Sequence, residues 1–360
     1  MATPNGCCGM QRKDFQKEIN GKQVDLYILR NKQGLEVAIT NYGGALCSIM
    51  VPDREGNAAN IIQGHDNIES LIASPEPFLS TLVGRYGNRI KEGHFTLDGV
   101  TYTLARNNNG QHLHGGPTGF HARVWDAKQI SDQSLCLQYI SADGEEGFPG
   151  ELTMSVMYTW TNDCELVIDY EGTTKAKTIV NMTSHGFFSL QGLGNPTPEA
   201  TDQILVINAD FYIPMGLTSV PYGEIRSVEG TPFDFREPHV IGERIDADDN
   251  QIKNGAGYDH CYVLKKNQPG ELSFAVRVVE PKSGRTMEVY TTEPGVQFYS
   301  DNWADGFPIS GGATANRRSA ICFEAQHFPD SPNKPHFPSV VLEPGQVYRQ
   351  KTIYKFGVER

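Results

Sequence analysis

The sequence predicts an all-β protein, a large antiparallel β-sandwich, on three observations. Short β-prone runs of strand length recur from one end of the 360 residues to the other, 37 glycines and 21 prolines punctuate them, and helical signal is thin. In chain order the runs are "LEVAITNYG" (35–43), "GHFTLDGVTYTLA" (93–105), "SLCLQYIS" (134–141), "LTMSVMYTWT" (152–161), "CELVIDYEG" (164–172), "TIVNMTS" (178–184), "QILVINADFYIP" (203–214), "LSFAVRVVEP" (272–281), "TMEVYTTEPG" (286–295) and "SAICFEAQ" (319–326). Each is bounded by Gly, Pro, Asp or Asn, the residues that turn a chain between antiparallel strands. Asp98-Gly99 suits a tight primed hairpin turn. A short helix is predicted in "GHDNIESLIAS", with Asp66 or Asn67 near its start. Strands are spread evenly, without a Ser/Gly linker or a repeat of fixed period, so residues 16–360 are expected to form a single domain behind a disordered segment 1–15. The turn-rich stretches 191–200 and 301–316 are expected to rim a cleft.

Charge narrows the function classes. A net charge of -12 and a pI near 5.3 oppose a nucleic-acid partner, because phosphate binding leans on a basic stripe. No run approaches the roughly 18 apolar residues of a membrane helix, and Met1–Gln11 has no apolar h-region, which together predict a cytoplasmic protein without a membrane partner. Seven cysteines are an odd number with no Cys-x-x-Cys pair, so reduced thiols are expected, and Cys7-Cys8 is read as part of a functionless start. The chain also lacks G-x-x-x-x-G-K-[ST], H-E-x-x-H, G-x-S-x-G and a post-strand G-x-G-x-x-G. Nucleotide, zincin and serine-hydrolase readings lose their support.

Four segments carry polar groups that a plain β-pattern does not explain. In "QHLHGG", His112 and His114 share one face if the segment is a strand; they are either histidines satisfied by backbone carbonyls or a metal pair with a third ligand in "DHC" at 259–261. In "GRYGNRI", Arg85 and Arg89 sit among glycines in an apolar stretch, either at the surface or as a fork donating into a cleft. In "AICFEAQHFPD", Glu324 follows Ile321, Cys322 and Phe323. It is either a solvent-facing carboxylate or one whose pKa is raised by apolar surroundings, which suits proton transfer near neutral pH. In "NMTSHGFFSL", Asn181, Thr183 and His185 fall on one face of a strand, a setting suited to fixing the tautomer of a general acid. The Asn-x-Thr sequon there, crowded by Phe187-Phe188, is read as accidental.

Taken together, "NYGGALCSIMVPDREG", "TLVGRYGNRI", "HLHGG", "DGEEGFPG", "NMTSHGFFSL", "GYDHCYVL", "TTEPGVQFYS" and "FEAQHFPDSPN" occur in an order that resembles the aldose 1-epimerase (galactose mutarotase) family, from about residue 20 to the end. The resemblance implies a β-sandwich with a sugar cleft across one sheet, and interconversion of the α and β anomers of a free aldohexose such as galactose or glucose. It implies no cofactor and no metal, and a monomer or homodimer. Residue by residue, it implies Glu324 as catalytic base and His185 as catalytic acid, with Asn88, Arg89, His114, Asp259 and Gln297 holding the sugar. Phe187 and Ser189 depart from the Tyr and Asn that many members carry, which bears on the preferred sugar. For the acid role His185 is expected to be an imidazolium favoured by a neighbouring carboxylate or carbonyl, and Glu324 to be ionised. Three rival readings remain: a hexose-6-phosphate epimerase using cations such as Arg123 or Lys175; a glycoside hydrolase pairing Asp259 with Glu324; and a non-catalytic sugar-binding module with Trp125 or Phe298 as platform.

Overall fold

Alternation builds the main layer. In Leu152–Trp160 every second residue from Leu152 to Trp160 is buried, and Glu165–Thr174 repeats the pattern, as a sheet with one face on a core requires. The computed structural model describes residues 6–359. Nine antiparallel strands form its largest sheet, in the spatial order Asp126–Ser131, Ser134–Ser141, Leu152–Trp160, Glu165–Thr174, Tyr348–Val358, Arg285–Thr291, Ser273–Val279, Ile204–Ile207 and His239–Val240. A five-stranded sheet, Arg226–Ser227, Ala209–Ile213, Asp259–Leu264, Gly295–Tyr299 and Cys322–Gln326, and a four-stranded sheet covering Leu26–Asn60 pack with it around a core that runs from Leu29 to Phe356. The all-β sandwich expected from the sequence is what the chain forms.

Local expectations fare unevenly. Asp98 and Gly99 both take positive φ, 50° and 78°, and close a hairpin in which Leu97 faces Val100. The short helix is Ile68–Ile72, with the Asn67 side chain accepting from Ser70 N–H, and an unanticipated second helix, Asn250–Gly255, is capped by Asp249. Residues 1–5 of the expected disordered start lie outside the described residues, but residues 6–15 are anchored at several points: Phe15 is fully buried, Cys8 N–H donates to Glu36 Oε2 and the Arg12 guanidinium bonds Asp25, while residues 11–14 stay exposed. The segment 178–184 is not one strand. Only Thr178–Ile179 and Thr183–Ser184 are paired, and Asn181 touches Tyr86 through an isolated bridge, so Asn181, Thr183 and His185 do not form a single polar face.

Arg85 is neither on the surface nor in a cleft. Its guanidinium donates to the carbonyls of Pro149 and Gly150, each at 2.8 Å, and to Ser141 Oγ at 2.6 Å, and it faces the Phe148 ring at 5.7 Å. Burial pulls its pKa down to about 10 against the opposing charges of Glu145 and Asp143. One side chain thus ties the 85–89 loop to the ends of three strands. Arg85→Met removes every one of these donors and strands buried carbonyls, so urea unfolding is expected to show a loss of about 3 kcal/mol or more; a loss near zero would mean that the carbonyls find other donors.

Candidate active site

Strand register brings the first group of polar residues together. Gln297 faces Glu324 across Gly295–Tyr299 and Cys322–Gln326, and Asp259 faces Tyr299 across the neighbouring pair, so these four side chains share one face of the five-stranded sheet. On the opposite face Phe298 and Phe323 stack at 5.1 Å, an apolar backing that leaves the polar face no room to sink. Loops from the other side close a cleft of about 560 Å³ lined by Asn88, Arg89, His114, His185, Asp259 and Glu324, six of the seven expected residues. Gln297 lies beneath it, buried, with Nε2 donating to Asp259 Oδ1 at 2.8 Å.

His185 Nε2 and Glu324 Oε1 stand 3.5 Å apart, and both residues are almost fully buried. Glu324 Oε2 and His185 Nδ1 have no hydrogen-bond partner among the described residues, a rare condition for buried polar atoms. Burial, reinforced by the charges of Asp259 and Glu76 and opposed by Arg89, pushes the Glu324 carboxyl well above the usual carboxylate range. Burial also pulls His185 down to about 4, with Arg89 adding to it and its own backbone opposing. The expected carboxylate neighbour of His185 is present. The expected bias is not: desolvation disfavours imidazolium and carboxylate alike and shifts both groups toward their neutral forms.

The two histidines of "QHLHGG" part company. His112 lies in the short strand His112–Leu113, bonds Ala105 O at 2.8 Å through Nδ1 and packs edge-on against Phe148. His114 takes a left-handed backbone, φ 52°, and leaves the strand line. Gly115 makes this possible: at φ 84° a Cβ there would lie 2.0 Å from the Gly84 carbonyl oxygen. Asn88 N–H donates to His114 Nδ1 at 3.0 Å, and His114 N–H returns a bond to Asn88 O at 2.9 Å. An amide can only donate, so His114 carries its proton on Nε2. Burial and the charges of His185 and Arg89 pull its pKa well below the usual range, so it stays a neutral donor.

That tautomer decides the metal question. The potential ligand atoms that cluster are not those of His112 and "DHC" but of His114, His185 and Glu324, within 4.8 Å of one another. His114 offers no free lone pair, since Nδ1 accepts from Asn88 and Nε2 bears hydrogen, and the set does not fit a cation.

Several lining residues escaped the sequence reading. Trp303 and Leu217, 72% and 85% exposed, flank the opening, and Glu76 lines the wall with its carboxyl pushed up to about 7 by burial. Trp303 belongs to the turn-rich stretch 301–316 that was expected to rim a cleft; the stretch 191–200 does not reach this one. Trp125 and Phe298 are fully buried and present no platform. Phe187 stacks nearly parallel on the His185 ring at 4.8 Å. Ser189 lies apart from the cleft, donating to Ser319 O at 2.7 Å and accepting from Gln63.

A sequence profile of aldose 1-epimerases matches residues 25–355. The chain belongs to the aldose 1-epimerase family. It is 40% identical to the galactose mutarotase of Bos taurus over 93% of this chain and 94% of that protein, and 35% identical to the aldose 1-epimerase of Escherichia coli over 94% and 97%. Among solved structures, an aldose epimerase homologue from C. elegans superposes with a TM-score of 0.85 at 28% identity, covering 94% of this chain and all of the other. Galactose 1-epimerase from Lactobacillus acidophilus gives 0.82 at 27%, covering 96% and 97%. The family's members are isomerases built on the β-rich fold described above, and among the described residues no helix is long and apolar enough to cross a membrane.

The charge state of Glu324 has a measurable consequence for stability. Its folded pKa lies above the unfolded value, so between the two the folded chain binds more protons, and stability falls as pH rises through that window. Glu324→Gln cannot pay this penalty. Its melting temperature is expected to gain on the wild type steadily as pH increases from 4.5 toward 8, and a pH-independent difference between the two proteins would contradict the burial assignment.

Proposed function

We propose that the protein interconverts the α and β anomers of a free aldohexose, galactose or glucose, with Glu324 as base and His185 as acid. The observation that carries this reading is the pair itself: a carboxyl and an imidazole 3.5 Å apart in a cleft, with no hydrogen-bond partner for their remaining polar atoms. A cyclic aldose is a hemiacetal. Its anomers exchange when the proton leaves the C1 hydroxyl, another reaches the ring oxygen, the ring opens and the other face of the carbonyl is attacked.

The pair needs only one proton for this. Neutral glutamic acid with neutral histidine, and carboxylate with imidazolium, differ by the position of a single proton that can pass between Oε1 and Nε2. From the charged arrangement, Glu324 takes the C1 hydroxyl proton while His185 protonates the ring oxygen, and the open aldehyde is left beside two neutral groups. That product arrangement is the one burial favours, so desolvation raises the charged starting arrangement relative to the opened ring. Closure reverses both transfers. Each positioned transfer is worth about 10²- to 10⁴-fold. His114 Nε2–H and the Arg89 guanidinium supply donors to sugar oxygens, Asn88 offers an amide, and Asp259, held from beneath by the Gln297 amide, accepts from ring hydroxyls.

The rivals lack matching groups. A sugar phosphate needs surplus cations, but Arg123 pairs with Glu145 at 3.6 Å, Lys175 pairs with Glu151 at 2.7 Å, and neither lines the cleft. The cleft's own cations, Arg89 and Lys253, stand beside Glu76, Asp259 and Glu324, and Lys253 pairs with Asp248. A hydrolase pairing Asp259 with Glu324 leaves His185 without a task.

Polarimetry of freshly dissolved α-D-galactose and α-D-glucose tests the proposal. Wild type is expected to accelerate relaxation, and Glu324→Gln and His185→Asn each to lose about 10²-fold or more. The pH profile should be a bell. On its acid side activity falls near pH 4, where His185 takes up a second proton and no base remains. On its alkaline side activity falls at the raised pKa of Glu324, where the pair's only proton leaves. No acceleration of either sugar by wild type would end this reading.

A further inference from the structure

The mechanism leaves a second acid–imidazole pair unused, a buried Glu293 against a half-buried His327. Glu293 Oε2 and His327 Nδ1 are 2.6 Å apart, and neither residue lines the cleft. Burial lowers the His327 pKa, but the charge and hydrogen bond of Glu293 more than offset it, so His327 is raised above the ordinary value.

His327 follows the strand Cys322–Gln326, three residues beyond Glu324. Its N–H donates to Asn181 Oδ1 at 2.9 Å, and its carbonyl accepts from Asn181 Nδ2 at 3.4 Å. Asn181, fully buried, precedes His185 by four residues, and the same Nδ2 donates to Gly87 O at 3.3 Å. Its main chain joins in: Asn181 N–H reaches Arg85 O at 3.0 Å and Gly87 N–H reaches Asn181 O at 2.7 Å. Asn88 and Arg89 come directly after. One amide side chain on the segment that carries His185 is therefore bonded to the two segments that carry Glu324 and the Asn88–Arg89 turn. Glu293 grips the His327 ring behind them.

We infer that Asn181, held in place through the Glu293–His327 pair, is a positioning residue that sets the spacing of Glu324 and His185. None of the three touches the cleft, and they act through the segments they join. A displacement of about 1 Å between reacting groups costs on the order of 10²-fold in rate, and the member free to move is His185 on its loop, whereas Glu324 stands on the sheet with the binding groups Asp259 and Gln297. The effect therefore belongs in kcat. The inference rests on Glu324 and His185 being the proton-transfer pair.

The test is mutarotation kinetics of Glu293→Gln, Asn181→Asp and the double variant beside Glu324→Gln, with melting temperatures. Asn181→Asp keeps the acceptor for His327 N–H but turns an oxygen toward the carbonyls of Gly87 and His327. Glu293→Gln is expected to lower kcat about tenfold with KM for galactose within about twofold, Asn181→Asp to lower it about 10²-fold, and the double variant to lose no more than Asn181→Asp alone. Wild-type kcat in Glu293→Gln with only a reduced melting temperature marks a purely structural role and overturns the inference, as do losses that multiply in the double variant. Should Asn181→Asp fail to fold, Glu293→Gln decides alone. Activity that survives Glu324→Gln defeats the functional reading itself, while its loss there with wild-type turnover in Glu293→Gln defeats only the inference.

Discussion

Exclusion of water from two ionisable groups 3.5 Å apart is the constraint on which the site depends. In water, Glu324 would be a carboxylate and His185 would titrate near neutrality; in the cleft, burial moves the first up and the second down. The groups around them are consistent with that choice. His114 is locked as a neutral donor by a backbone amide, so it adds no charge, and Arg89 is the cation that tempers the cluster of Glu76, Asp259 and Glu324. A chemistry that needs one proton to change places between two oxygens of a sugar is served by a site that holds one proton between two side chains.

The fold meets this constraint by dividing labour between a sheet and loops. Asp259, Gln297 and Glu324 stand on adjacent strands with their backs against stacked phenylalanines, and Tyr354 bonds the Phe323 carbonyl at 2.9 Å, so Glu324 has little freedom to move. His185, Asn88 and His114 come from loops. Asn88 and His114 both lie in the left-handed region, at φ 63° and 52°, conformations that cost energy and persist only where surroundings enforce them. Here the enforcement is mutual: each of the two residues bonds the backbone or ring of the other.

How much of this could be read from the chain follows from how local each cause is. The strand alternation of Leu152–Trp160 and the primed turn at Asp98-Gly99 depend on neighbouring residues and were legible. The residues of the cleft were legible only through the ordered motifs that resemble a family, because no spacing in the sequence says that residues 88, 185 and 324 meet. What failed was non-local. His112 and His114 separate because Gly115 must pass the Gly84 carbonyl; Arg85 is buried because carbonyls from residues 141–150 converge on it; residues 6–15 are packed because Glu36 and Asp25 hold them. The direction in which the two pKa values move was illegible for the same reason, since desolvation belongs to the assembled cleft and not to any segment.

Phe187 fits the same electrostatic logic. Its ring lies parallel to the His185 imidazole at 4.8 Å and continues into an apolar cluster with Leu79, Ile309 and Ala320. A face covered this way gives imidazolium no solvent and no hydroxyl, while the Arg89 charge adds to the bias against it. Phe187 therefore works in the direction of burial, toward a neutral His185 and a proton resting on Glu324. Under the proposed mechanism this ring bears on the balance between two arrangements of one proton, so its effect on turnover comes through the energy of the charged arrangement from which ring opening starts.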